Sequence, residues 1–287
     1  MKIFKFIGKL IGIVLALFVV VIIIGVVVDD DDSKSNTTTK TVKTKKSKGP
    51  VYTLDNPNPI SDFRYEFTED QKAIVIKYYV GDSSTVVFPE SIEGYPVRRI
   101  DDIPSSEYHG IYKNIIVPKS VKELGRGAFY NVKGNINIDL TNLQYIGEGA
   151  FSSSDLTGTV IISKNCIYDV DWSEHLKTFA VGWGDRNSHC FAYSKVTSVI
   201  IEEGVTILPD AMFYSCTELK SVKIPSSLKY IGDDAFSCCN SLTEVIFADG
   251  QKIKYENDHV FEGCDSLSLA TRTKLIQSGY DGRFTVF

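Results

Sequence analysis

Histidine, tryptophan, methionine and cysteine are all scarce in this chain: four, two, two and six residues in 287. Six cysteines are too few for a disulfide-dense scaffold, and none stands in the Cys-x-x-Cys pair of a zinc site. The histidines, His109, His175, His189 and His259, lie far apart, whereas zinc needs four convergent ligands, or three and a water. Asp169 and Asp171 form a lone Asp-x-Asp, short of a calcium loop. Cys190 follows His189 directly, and adjacent strand residues point to opposite faces, so the two make no nucleophile and base. There is no glycine-rich phosphate loop. With no nucleophile, base and charge stabiliser together, the expectation is a protein that is not an enzyme and uses no metal or cofactor. Basic surplus is missing too: the net charge is −5, and residues 51–287 hold 22 basic against 32 acidic side chains, which argues against a nucleic-acid platform. What the chain does have is 43% hydrophobic and 11% aromatic residues, enough to fold.

One long hydrophobic run occurs. Leu10 to Val28 carries no charge over nineteen residues, about 28 Å as a helix, and predicts a membrane anchor at 10–28 behind a basic tail at 1–9. Lys2, Lys5 and Lys9 also suit the head of a cleaved secretory signal, but the apolar stretch is long for one and no small-x-small site precedes the aspartates. The first cysteine is Cys166, which excludes a lipid-modified cysteine after the run. Three lysines precede the run and six follow it, the six set back behind Asp29 to Asp32. Since basic residues close to the span dominate and long domains cross regardless of charge, the expected orientation is amino terminus in the cytoplasm and the remainder outside the cell membrane. Residues 29–50 read as a disordered tether, because 33–50 holds one apolar residue in eighteen. Its coil dimension is about 25 Å, and its lysines suit an anionic envelope polymer or headgroup surface.

Beyond the tether, a period near 23 organises the chain. Phe129, Phe151, Phe191, Phe213, Phe236 and Phe261 recur at gaps of 22, 40, 22, 23 and 25. A second column runs Phe88, Val117, Ile138, Ile162, Ile201, Ile224 and Phe247, with another β-branched residue two positions before each. That alternation is the mark of a short strand. Each unit then holds a strand, a turn opened by proline or a polar residue, a second apolar pair such as Leu228 and Ile231, and a helical turn through the Ala-Phe step. Units this small bury each other's apolar columns by stacking, which predicts a solenoid with seven parallel strands in one curved sheet about 30 Å across.

The segment SVKIPSSLKYIGDDAFSCCNSL resembles the BspA-like, treponemal-type class of bacterial leucine-rich repeat, with its strand, proline, Ile-Gly and Ala-Phe-x-x-Cys. Phe213 with Cys216, Phe236 with Cys239 and Phe261 with Cys264 match that ending, and Ser91 to Val97 resembles the Ile-x-Gly-x-Pro-Val that opens such arrays. The likeness spans about 63–287 and fades at 163–190. It implies a mainly β leucine-rich repeat solenoid with short parallel strands and helical turns, serving surface-exposed interaction. Solenoid ends need caps. At 51–84 the residues Phe63 to Phe67 and Ala73 to Ile76 read as a hairpin across Thr68 to Lys72. At 268–287 Ser268 caps a helix from Leu269 to Ser278, with Leu269 and Ile276 inward and Gly279 as terminator. The repeats between them occupy 85–267.

Cys216, Cys239 and Cys264 recur at one repeat position and read as buried small hydrophobes; Cys238, or a pair of Cys166 with Cys190, are the candidates for disulfides. Two regions are candidates for ligand contact. If the strand residues that flank them face inward, then Val87, Ile116, Asn137, Ile161, Ile200, Lys223 and Ile246 form an outward column, with Thr85, Asn114, Asn135, Thr159, Ser198 and Ser221 as a polar rim. The irregular insertion 163–190 holds Trp172 and Trp183, able to stack on sugar or peptide, or else to fill the core of a degenerate repeat. The expected role is macromolecular binding or adhesion toward an extracellular protein or glycan. The competing reading is an envelope component without a specific ligand, and an enzyme built on the insertion ranks last.

Overall fold

The computed structural model describes residues 50–104, 111–168 and 190–285. The predicted anchor at 10–28, the tether lysines, Trp172 and Trp183 lie outside the described residues. Among the described residues no helix is long and apolar enough to cross a membrane.

Strand β1 (Phe63–Phe67) pairs antiparallel with β2 (Ile74–Tyr79), which is the expected hairpin cap. From there the chain coils between two strand-bearing faces. The first face carries β3 (Thr85–Val87), β6 (Asn114–Ile116), β8 (Asn135–Asn137), β10 (Thr157–Ile162), β12 (Lys195–Ile201), β14 (Ser221–Lys223) and β16 (Glu244–Ile246). The second carries β5 (Tyr95–Ile100, with β4, Ser91–Ile92, folded back on it), β7 (Glu123–Leu124), β9 (Tyr145–Ile146), β11 (Ile167–Tyr168), β13 (Ile207–Leu208), β15 (Tyr230–Ile231) and β17 (Lys254–Tyr255). All pairs between coils are parallel.

The alternation read from the sequence holds: Val86, Ile115, Ile136, Val160, Val199, Val222 and Val245 are buried, and so are the residues two positions on except half-buried Ile138. One expectation fails. The seven strands of the first face form two sheets, β3-β6-β8 and β10-β12-β14-β16, because β8 and β10 do not pair.

The phenylalanine column is the spine of the core. All six rings are fully buried. Neighbours along the stack from Phe129 to Phe261 lie 5.3–5.7 Å apart and within 8° of parallel, the separation that one strand spacing per coil with a slight offset imposes. The predicted helical turns around these rings are instead hydrogen-bonded turns. Two positions take positive φ in the coils of Phe213 and Phe236: Ala211 and Ser215 around the first ring, Asp234 and Cys238 around the second. That conformation aims alternate amides at the next coil, so Ala211, Phe213 and Ser215 donate to the carbonyls of Asp233, Ala235 and Ser237. A helical turn would send those donors back into its own chain. The recurrent thiols finish the job: Cys216, Cys239 and Cys264 donate to the Phe191, Phe213 and Phe236 carbonyls of the preceding coil at 3.1–3.2 Å.

Helix α1 (Leu269–Ser278) begins at Ser268, whose hydroxyl accepts from the Thr271 amide, and ends at left-handed Gly279. Its rotation differs from the expectation. Leu269 and Ile276 are exposed, while Thr271, Leu275 and Ser278 face inward. A polar partner on the last coil fixes this phase: Ser278 shares a hydrogen bond with buried Tyr255 at 2.6 Å. Beyond the helix, Tyr280 sets its ring edge-on to Phe261, 5.3 Å away, and closes the ring stack. The repeat also runs further than the sequence suggests. Within 163–190, β11 pairs in register with β9, and Cys190 already belongs to the next coil, followed by Phe191 of the stack.

Candidate binding face

The outer side of the first face presents two rows per block. In register across the first block stand Thr85, Asn114 and Asn135, then Val87, Ile116 and Asn137. Across the second block stand Thr159, Ser198, Ser221 and Glu244, then Ile161, Ile200, Lys223 and Ile246. Parallel register therefore assembles both the apolar column and its polar rim, because residues of equal phase along each strand point to one side. The rim bonds laterally: Asn135 donates to Asn114 at 3.1 Å, and Ser198 and Ser221 share a bond at 3.2 Å.

Six of the seven column residues reach the surface. Asn137 and Lys223 are exposed, Ile116 and Ile161 are half-buried, and Ile200 and Ile246 are 37% and 44% exposed. Val87 is the exception, fully buried although its strand phase points outward. The segment before the hairpin covers it: the Asn58 amide donates to the Val87 carbonyl, and the Val87 amide donates to Asn58 Oδ1 at 2.8 Å. Asn58 is itself buried and reaches Tyr79. The sequence carries no local mark of that contact, since Asn58 lies 29 residues from Val87.

A wedge splits the column between Asn137 and Ile161. At its narrow end the Asp155 amide donates to the Val132 carbonyl, and the Asp155 carboxylate accepts from the Gly134 amide at 3.1 Å. Beyond that point the strands part. Gly158, at φ +90°, begins a register shift in β10, and after β8 the chain turns into a 3-10 helix at Leu140–Asn142, capped by Asp139. The resulting cleft measures about 230 Å³, with Ile136, Leu156 and Val160 among the residues lining it. These residues were missed in the sequence. Asp139 stands where Pro89, Pro118 and Pro225 follow the strand in other repeats, but Ser163, Glu202 and Ala248 fill the same position, so this residue alone does not mark the break.

Other chemistry is structural in kind. Burial pushes the Cys216 and Cys264 thiols up to about 12 and Cys166 to about 11, which leaves them protonated and unreactive at neutral pH. No disulfide forms among the six cysteines. Stacking of coils does bring His259 to acids that sequence spacing hides: its ligand atom and those of Asp233 and Asp234 lie within 4.8 Å of one another. The same ring lies 3.4 Å from Asp258 and 3.8 Å from Glu262.

Coils of about 23 residues, with parallel strands on two faces and stacked phenylalanines between them, define a bacterial-type leucine-rich repeat solenoid. The chain matches the BspA type leucine rich repeat region in six copies, over residues 98–171 and 185–285, more than half its length, and it belongs to that family. Among solved structures it is similar to a leucine rich repeat protein of T. pallidum, at 21% identity and a TM-score of 0.52, covering 80% of this chain and 100% of that one. A leucine rich cell surface protein from Faecalibacterium prausnitzii is 19% identical, with a TM-score of 0.46, covering 77% of this chain and 54% of that one. No curated protein matches.

Proposed function

We propose that this protein is a membrane-anchored, extracellular binding or adhesion module that recognises a macromolecule through the outer side of the first face. The observation that carries the reading is the accessible column of Ile116, Ile161, Ile200 and Ile246 beside a hydrogen-bonded polar rim. An apolar strip rimmed by polar residues is the usual dress of an interaction site. Burying three such side chains contributes a few kcal/mol, at about 25 cal/mol per Å², before association costs. The uncharged run at 10–28 supports an anchor in the cell membrane, the lysines beyond it support contact with an anionic envelope polymer, and the acidic balance of 51–287 speaks against nucleic acid.

A screen of the full chain against extracellular proteins and glycans tests this. Ile161→Ser with Ile200→Ser is expected to leave folding intact and weaken the selected partner at least about tenfold, while Trp172→Ala and Trp183→Ala have smaller effects. Binding lost with the tryptophans and kept with the serines would move the site to the insertion. Protease added to intact cells is expected to cut within 33–50; protection there equal to that of a cytoplasmic control would reverse the orientation.

A further inference from the structure

We infer that the wedge between β8 and β10 receives an extended strand of a partner polypeptide, which joins the two sheets. This rests on the reading of the outer face as a binding surface and narrows the partner to protein.

The argument is one of hydrogen-bond geometry. In a parallel ladder each residue directs its amide and carbonyl to one neighbour, and the next residue directs them to the other. The Val117 amide donates to the Asn137 carbonyl, so Asn135 and Asn137 face β6, and Ile136 and Ile138 direct their backbone groups into the wedge. On the other wall the Glu202 amide donates to the Ile162 carbonyl. Val160 and Ile162 therefore face β12, while Thr159 and Ile161 address the wedge. Two strand edges of the same direction thus confront each other across a cleft of about 230 Å³, with no ladder between them. Open edges are templates for a further strand. Here a single inserted strand would satisfy both.

The lining selects the occupant. Among the described residues that line it there is no aromatic ring for a sugar to stack on, and Asp139 is the sole charged one. The buried residues Leu156 and Val160 lie deep in it, and the exposed side chains of Asn137 and Thr159 stand at its mouth. A strand running parallel to β8 and β10, with alternate aliphatic residues pointing down, hydroxyl residues pointing out and a basic residue at its carboxy-terminal end near Asp139, is complementary at every level.

The probe is the peptide acetyl-Val-Thr-Val-Thr-Val-Lys-amide, added to the full chain in detergent, with amide hydrogen exchange followed by mass spectrometry over 133–141 and 156–162. Saturating peptide is expected to slow exchange at least tenfold in both segments. The same peptide with alternate amides N-methylated is expected to protect neither. Thr159→Pro removes one wedge-facing donor without touching the β10–β12 ladder and is expected to weaken the peptide at least tenfold. Equal protection by the methylated peptide, unchanged affinity in Thr159→Pro, or protection by chitohexaose in place of the peptide would each overturn the inference. Peptide failure alongside loss of partner binding in Ile200→Ser with Ile246→Ser, both clear of the wedge, would discard the strand insertion and leave the binding face standing.

Discussion

The two blocks of the first face are built from the same repeat yet differ in regularity. In β10 to β16 the outer rows run unbroken from Thr159 to Glu244 and from Ile161 to Ile246. In β3 to β8 one row ends under Asn58 at Val87 and the other edge ends at the wedge. The ring stack crosses the divide without a change of spacing: Phe129 to Phe151 is 5.3 Å and Phe213 to Phe236 is 5.7 Å. The lesson is that the spine and the face are separable. Coil stacking is held by the buried rings and turn ladders, which leaves the strand face free to open locally without loss of the solenoid.

The strongest way to break that comparison is in the spine. Phe236 is stacked on both sides by Phe213 and Phe261, and Phe236→Ala is expected to cost about 3–5 kcal/mol through lost burial and a cavity. Phe129 has one stacking neighbour in Phe151, and Phe129→Ala belongs at the low end of that range. Denaturant unfolding of the two variants measures both, and equal midpoints close to the parent would show that the rings do not hold the coils.

A smaller effect separates the blocks at Gly134, which sits at φ +122° where a Cβ would meet the Tyr112 carbonyl oxygen at 1.7 Å. Gly134→Ala is expected to destabilise by about 2–3 kcal/mol and to loosen the Asp155 contact that closes the wedge, read as a lower melting temperature with faster exchange at 132–138. The reverse change sharpens the second block. Cys238 holds φ +60° at the position that Gly263 fills in the next coil at φ +73°, so Cys238→Gly is expected to raise stability by about 0.5–1 kcal/mol.

Acid acts on the second face, where Asp101 follows β5. Burial disfavours the Asp101 charge, but hydrogen bonds from Lys77 and Arg99 outweigh it and hold the carboxyl below its usual range. A depressed folded-state value means stability that is present above the unfolded value and lost as pH falls through the folded one. Neighbouring Asp102 is raised by burial and then by the Asp101 charge, and it opposes that loss. Unfolding midpoints below pH 4 are expected to fall less steeply in Asp101→Asn than in the parent.

Much of this was legible from local pattern. The alternation at Val222 and Ile224, the phenylalanine spacing, the hairpin around Thr68 to Lys72 and the capping residues Ser268 and Gly279 are all encoded within a few residues of where they act. Two features that escaped depend on distant partners: Val87 is covered by Asn58, and the rotation of α1 follows the bond from Ser278 to Tyr255. The missing ladder follows from local turns at Asp139 and Gly158, whose joint effect on pairing arises only once the two strands are brought side by side.

Native-state amide hydrogen exchange of the unliganded full chain tests the interrupted face most directly. The amides of Ile136, Ile138, Thr159 and Ile161 are compared with those of Val199 and Val222, which face a paired neighbour in the continuous block. The wedge-facing amides are predicted to exchange at least about tenfold faster, since they lack a ladder partner. Equal protection in the two sets would contradict the account, because it would mean that β8 and β10 pair and that the face is one unbroken sheet.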